Sequence, residues 1–290
     1  MHITLTIAFI LGMATPAQAA PVIIDPAVYT DPALDSAHPA KMAVVHIPSG
    51  DVAINGVVYV AAGPGSHPVV VLCHGLPGNE KNLDLAQAIR RAGWTVITFN
   101  YRGSWGSPGS YSFANDLADV DAVLAYARDP ANAAKLGLDP TRIVLGGHSL
   151  GGWATALTAA HDKGLVGAFM ISPGNLGRIG KMPRDKAIAF LKDNGMESLA
   201  TTTEAMADEL IAKGDAYDFV QTAPRLTGTR LLMLTSDDGG GPAADALVAA
   251  IKAKGGKRVT TVHAATDHSW SGARVRLASD VIGWLRNLPR

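Results

Sequence analysis

From Pro68 onward the chain alternates between short unbroken apolar runs and longer stretches whose apolar residues fall three and four positions apart. The first rhythm is that of strands covered on both faces, the second that of amphipathic helices. "PVVVLC" (68–73), "TVITFNY" (95–101), "RIVLGG" (142–147), "LVGAFMIS" (165–172), "RLLMLTS" (230–236) and "KRVTTVHA" (257–264) read as strands. Between them, "LDLAQAIRRAG" places Leu83, Leu85, Ala86 and Ile89 on one helical side and stops at Gly93. "DLADVDAVLAYA" repeats Leu117, Val120, Leu124 and Ala127, which sends Asp116, Asp119 and Asp121 towards solvent or the helix start. Trp153–Ala160, "AADALVAAIKAKGG" and "GARVRLASDVIGWLRNL" are the remaining helices of this series. Upstream, Ala43–Ile47 and Val52–Ala61 flank "SGD" as an antiparallel hairpin. Strand and helix in alternation predict an α/β fold: a mostly parallel central sheet, helices on both faces, right-handed crossovers.

The alternation lapses between Pro173 and Gly228, where two helices are expected at Arg184–Asp193 and Glu204–Lys213. This stretch is too long for an ordinary connection. It forms either a small helical cap over the sheet's C-terminal edge, residues 174–228, or structural padding. Ahead of the hairpin, "PVIIDPAVYTDPALDSAHPAK" has scattered prolines and no period, as expected of an extended arm. The first residues, "MHITLTIAFILGMATPAQAA", hold an apolar stretch from Ile3 to Met13, then Pro16 and the small-residue site Ala17-Gln18-Ala19. That is the layout of a secretory signal peptide (1–19) cleaved after Ala19, although no Lys or Arg precedes the apolar stretch. A mature chain of 20–290, forming one domain in the periplasm or secreted, with no membrane span left after cleavage, is the expectation.

Composition narrows the partners. The 290 residues are 48% hydrophobic, enough for one substantial core, and 25 Lys plus Arg balance 25 Asp plus Glu. Zero net charge without a basic stripe argues against nucleic acid. The single cysteine, Cys73, ends an apolar strand and reads as a small buried hydrophobe. The histidines lack ligand-like pairing and no H-E-x-x-H occurs, so neither metal nor any other cofactor is expected.

In open parallel sheets ligands gather beyond the carboxyl ends of the strands. After "RIVL" stands Gly147-His148-Ser149-Leu150-Gly151, a G-x-S-x-G pattern entering an Ala-rich helix. A serine on a strained strand-to-helix elbow needs small neighbours because strand and helix approach closely there, which accounts for the glycines. Its base should follow the last strand. "VTTVHAATDHSW" offers His263, in the strand and read as a satisfied core residue, and His268, in the following loop and preferred. After "RLLMLTS" come Asp237 and Asp238; either can turn back to the histidine, and Asp238 is preferred from chain order. Oxyanion donors are expected at the backbone N–H groups of Leu150, at the helix start, and Leu76, in "HGLPGNEKN". His74 reads as a hydrogen-bonder that fixes that loop. Arg102 is either an anion clamp or a loop-fixing arginine bound to backbone carbonyls. Trp105, Tyr111 and Trp270 either line an apolar pocket or pack in core and rim.

Taken together, His74-Gly75-Leu76-Pro77-Gly78, the Ser149 elbow, Asp238 and His268 resemble the α/β-hydrolase superfamily. "NYRGSWGSPGSYS" is similar to the corresponding loop of prolyl-oligopeptidase-like and related serine hydrolases. The resemblance spans nearly all of 68–290 and implies Ser149 as nucleophile, His268 as base, Asp238 as acid, and Leu76 with Leu150 as oxyanion donors. Peptidases of that branch usually carry a large propeller domain. This chain has only an arm and a hairpin upstream, which favours an esterase acting on a small-molecule ester over a short-peptide peptidase or amidase. A catalytically silent binding protein of the same fold would need none of the three triad residues. Acyl and alcohol preference and oligomeric state are not legible in the sequence.

Overall fold

A computed structural model describes residues 24–289 of the chain; residues 1–19, expected to be a signal peptide, lie outside them. In chain order the elements are α1 (Pro26–Tyr29), β1 (Lys41–Ser49), β2 (Val52–Val60), β3 (His67–Cys73), α2 (Leu83–Arg91), β4 (Thr95–Phe99), α3 (Phe113–Arg128), α4 (Pro130–Leu136) and β5 (Leu138–His148). There follow α5 (Leu150–His161), β6 (Leu165–Ile171), α6 (Leu176–Ile179), α7 (Arg184–Asp193), α8 (Thr203–Lys213) and α9 (Ala223–Leu226). The chain closes with β7 (Leu231–Ser236), α10 (Gly241–Ala253), β8 (Val259–Ala264) and α11 (Arg274–Arg286). Eight strands form one sheet in the order β1-β2-β4-β3-β5-β6-β7-β8. The β1–β2 and β2–β4 pairings are antiparallel and all the others parallel. The predicted α/β fold with a mostly parallel central sheet and helices on both faces is therefore the observed one.

The apolar strand runs follow from having a core on each face. Val69, Val71 and Cys73 of β3 join the layer under α3, α5 and α10, where Val120, Trp153 and Leu247 pack. Val70 and Leu72, pointing the other way, join the layer under α1, α2 and α11, with Ile89, Leu277 and Val281. Every position of β4 is buried for the same reason. Cys73 is buried, as expected, and burial pushes its thiol up to about 12. Among the described residues no helix is long and apolar enough to cross a membrane.

Three local features depart from the sequence reading. The N-terminal arm holds a helical turn, α1, because Asp25 accepts the Ala27 N–H at 2.9 Å and Pro26 starts the helix without an orphan donor. Arg91 of α2 fastens it by donating to the Ala27 and Val28 carbonyls. The short helix α4 was not foreseen; Asp129 caps it through the Asn132 N–H, and Gly137 ends it in the left-handed region.

The third departure is chemical. Asp116 lies in the first turn of α3, but it and Asp119 are fully buried rather than solvent-facing; Asp121 is exposed and pairs with His161 at 2.9 Å. With α3 starting at Phe113 under a Ser112 cap, residues 116, 120, 123 and 127 share the buried stripe, and the aspartates come in with it. Asp119 is accommodated by partners distant in sequence and Asp116 by one just ahead of the helix. Asp119 accepts from the Arg102 backbone N–H and the Arg102 Nε, both at 2.7 Å, and from Ser49 Oγ at 2.5 Å. Arg102 thus fixes its loop chiefly through a buried carboxylate, with a longer bond of 3.5 Å from its guanidinium to the Asn115 carbonyl. Asp116 accepts from the Tyr111 hydroxyl at 2.7 Å, and burial raises its carboxyl well above the usual range.

The strand order places the candidate chemistry. From central β3 the chain first crosses to β4, then returns to β5 on β3's other side, so the β3 and β5 exits diverge at neighbouring C-terminal ends. Leu76 follows β3, Ser149 follows β5, Asp238 follows β7 and His268 follows β8. Parallel pairing of β3, β5, β6, β7 and β8 delivers all four to one edge of the sheet.

Candidate active site

Ser149 stands alone between the end of β5 and the start of α5, at φ 56° and ψ −114°. A non-glycine residue there costs on the order of 1–3 kcal/mol and persists only where its surroundings hold it. Here the Ser149 N–H donates to the Ile171 carbonyl at 2.9 Å, while the Ser149 carbonyl accepts from the Gly174 and Trp153 N–H groups at 3.1 Å. The flanking glycines are demanded by contact. A Cβ on Gly147 would overlap the Gly151 backbone, and one on Gly151 would run into the Cys73 and His74 carbonyls. Strand and helix meet too closely for any side chain. Gly75 is similarly placed, since a Cβ there would sit 3.2 Å from Ser149 Cβ and 3.3 Å from His148 Nδ1.

The two adjacent aspartates separate cleanly. Asp238 Oδ2 accepts from His268 Nδ1 at 2.6 Å, and the Asp238 side chain is only 7% exposed. Asp237 instead faces His263 Nε2 at 3.1 Å on the surface, 62% exposed. His263 is therefore an exposed residue of β8 and not a core histidine; its Nδ1 lies 3.0 Å from Thr235 Oγ1. Burial works to raise the Asp238 carboxyl, but the hydrogen bonds from His268 and the Gly240 N–H outweigh it and hold the group below the ordinary carboxylate range. With Asp238 ionised, His268 Nδ1 carries the proton and leaves Nε2 as the acceptor.

Ser149, His268, Asp238, Leu150 and Leu76 all line one cavity of about 540 Å³, within the range of small-molecule sites. Leu150 is the first residue of α5, where the N–H has no partner within the helix. His74 occupies its foreseen place: buried, with Nδ1 2.7 Å from the Gly75 carbonyl, and pushed down to about 4 by burial, so it is neutral. Tyr111 and Trp270 are buried and Trp105 lies in a loop with its indole N–H on the Pro77 carbonyl, so none of the three is part of the cavity wall. Among the described residues no three or more His, Cys, Asp or Glu side chains cluster as a metal site.

Sequence reading missed several supports. His148 is buried, and its Nε2–H donates to the His268 carbonyl at 2.8 Å, tying the serine elbow to the histidine loop. Burial, then the neighbouring His268, push His148 down to about 4, so it serves as a neutral donor. Trp270 Nε1 donates to Ser172 Oγ, which pairs with Ser236 Oγ at 2.8 Å, and the Asp237 N–H donates to the Thr266 carbonyl. The acid and histidine loops are thus stitched together beneath the cavity. Only the indole N–H of Trp270, which needs a buried partner, hinted at this.

The helices between β6 and β7 supply the facing wall through Leu176, Ile179, Phe190 and Leu191 of α6 and α7. They are fastened away from the cavity. Glu209 of α8 accepts the Phe113 and Ala114 N–H groups at 3.0 and 2.7 Å, capping α3, and also the Tyr217 hydroxyl. Trp153 Nε1 donates to the Tyr217 carbonyl, and the Ala200 N–H to the Gly103 carbonyl.

Residues 70–280 match the model of the alpha/beta hydrolase family. The chain is an alpha/beta hydrolase. In sequence this hydrolase is 30% identical over 167 residues to a 31.7 kDa protein encoded in the traX-finO intergenic region of Escherichia coli; the match covers 51% of this chain and 57% of that one. In fold it is similar to EstE1, a thermophilic carboxylesterase cloned from a metagenomic library, with a TM-score of 0.64, 22% identity, and coverage of 87% and 91% of the two chains. It is also similar to the acylaminoacyl peptidase of Pyrococcus horikoshii, with a TM-score of 0.66 and 15% identity over 88% of this hydrolase but only 42% of the peptidase.

Proposed function

We propose that this hydrolase is a serine esterase that cleaves small carboxylic esters through an acyl-enzyme. The observation that carries the reading is the Asp238–His268 hydrogen bond of 2.6 Å in the same cavity as Ser149 on its positive-φ elbow. His268 Nε2 takes the Ser149 hydroxyl proton as Oγ bonds to the ester carbonyl carbon. The oxyanion that forms is met by the N–H groups of Leu76 and Leu150, and the positive end of α5 lies at the latter. As the tetrahedral species collapses, the carbon–oxygen bond to the alcohol breaks and His268 returns the proton to the leaving oxygen. Water then gives its proton to His268, attacks the acyl carbon and releases the acid, and the proton returns to Ser149 Oγ. Asp238 stays ionised throughout and stabilises the imidazolium.

A short-peptide peptidase is the second reading, favoured by the likeness to the acylaminoacyl peptidase. The two differ in the leaving group, since an amine must be protonated as it departs and an alkoxide leaves more readily. Short-chain aryl esters should be turned over at least about a hundredfold faster than the matching anilides, a difference of about 2.7 kcal/mol in barrier. Steady-state rates on matched ester and anilide series measure this directly. Comparable cleavage of a peptidyl anilide would promote the peptidase, and no turnover of either series would leave only the silent binding protein.

Export belongs to the same proposal and rests on the pattern of residues 1–19. N-terminal sequencing of protein recovered from a bacterial envelope fraction should begin at Ala20. A chain starting at Met1 and recovered from the cytoplasm would overturn that part.

A further inference from the structure

The cavity wall carries two permanent charges, and they differ in what holds them. Asp238 is shielded, with its carboxylate taken by His268 and the Gly240 N–H. Arg178, on α6, is exposed, and among the described residues its guanidinium has neither a carboxylate nor a carbonyl partner. Its neighbours are otherwise engaged. Lys181 meets Asp215 at 3.2 Å, Arg184 meets Asp208 at 2.6 Å, and Lys192 meets Glu204 at 3.3 Å. The wall around Arg178 is mostly apolar, made by Leu176, Ile179, Phe190 and Leu191, with the amides of Asn175 and Asn194 beside them. A guanidinium at the edge of such a wall presents a planar fork of donors suited to a carboxylate.

We propose that Arg178 selects esters that carry a carboxylate at one end, with the apolar body of the substrate lying along α6 and α7 between that charge and Ser149. This rests on the esterase reading and names its substrate class. Neutral esters of the same length fill the same apolar wall but leave the guanidinium unmatched. The carboxylate of Asp238, the other charged residue of the lining, is turned to His268 and the Gly240 N–H.

The test compares kcat/KM for matched pairs. 4-Nitrophenyl hemiglutarate against 4-nitrophenyl pentanoate puts the charge on the acyl end. 4-Carboxyphenyl butanoate against phenyl butanoate puts it on the alcohol end. In one of the two arms, Arg178→Gln should lower the anionic-to-neutral ratio by about tenfold, and Arg178→Lys should restore part of it. The wild-type ratio should also fall with rising salt. Binding is read separately, by calorimetric titration of Ser149→Ala and Ser149→Ala/Arg178→Gln with monoethyl glutarate and ethyl pentanoate. There the second substitution should weaken the anionic ligand's affinity relative to the neutral one by a similar factor. Should neither ester series be hydrolysed in a Ser149-dependent way, the esterase reading falls and the titration alone decides the role of Arg178. Ratios that stay the same in both kinetic arms and in the titration would overturn the proposal.

Discussion

Ser149→Ala should abolish ester hydrolysis, with turnover falling by up to about a millionfold, while the fold is retained. The expectation of an intact fold comes from the elbow itself. Alanine and serine meet the same steric cost at φ 56°, and the contacts that hold the turn are backbone hydrogen bonds to Ile171, Gly174 and Trp153, which the substitution leaves in place. What disappears is the hydroxyl oxygen that, in the proposed mechanism, bonds to the acyl carbon. In the proposed mechanism the size of the loss reflects cooperation: without the oxygen, His268 would have no proton to take, so its contribution and that of Asp238 would vanish too. Chromogenic short-chain esters give the rate and a thermal melt checks the fold. Activity above about a hundredth of wild type, in a preparation free of host esterases, would remove Ser149 from the mechanism.

Asp238→Asn should lower turnover by roughly ten-thousandfold, and Asp237→Asn by far less. The asparagine amide would present a donor where His268 Nδ1–H now gives its proton, favouring the imidazole tautomer whose Nε2 is protonated and unable to accept from Ser149. In the proposed mechanism the imidazolium would also lose the counter-charge of Asp238, whose side chain is only 7% exposed. Asp237 meets His263 in open solvent, where such pairs are weak. Rates of the two variants, measured side by side at the same pH, give the ranking. If Asp237 proved the more sensitive, it would displace Asp238 as the triad acid.

How much of this was legible in the sequence depended on whether the cause was local. The strand–helix alternation was read correctly because each element's apolar pattern reports its own two faces. Ser149 stood out because the glycines around it answer a contact between adjoining elements, β5 and α5. The acid was ambiguous for a geometric reason: Asp237 and Asp238 are neighbours in the chain, but the turn sends one to β8 and the other to the loop beyond it. The burial of Asp116 and Asp119 was missed because a buried carboxylate is tolerable only with partners, and Arg102 and Ser49 are brought to Asp119 by the fold. The wall made by α6 and α7 was undecided between cap and padding, since nothing in a helix's own period says which cavity it faces.

Fastening and lining are divided between different residues in the segment joining β6 to β7. Glu209, Tyr217 and Ala200 tie it to α3, α5 and the loop after β4, whereas Ile179, Phe190 and Arg178 meet whatever enters the cavity. Such a separation makes the segment a replaceable facing on a fixed frame. Ile179, Phe190 and Arg178 can be exchanged to suit a longer, shorter or differently charged guest without loosening any of the hydrogen bonds that keep the segment in place. The serine elbow and its histidine, built on other strands, would not register the change.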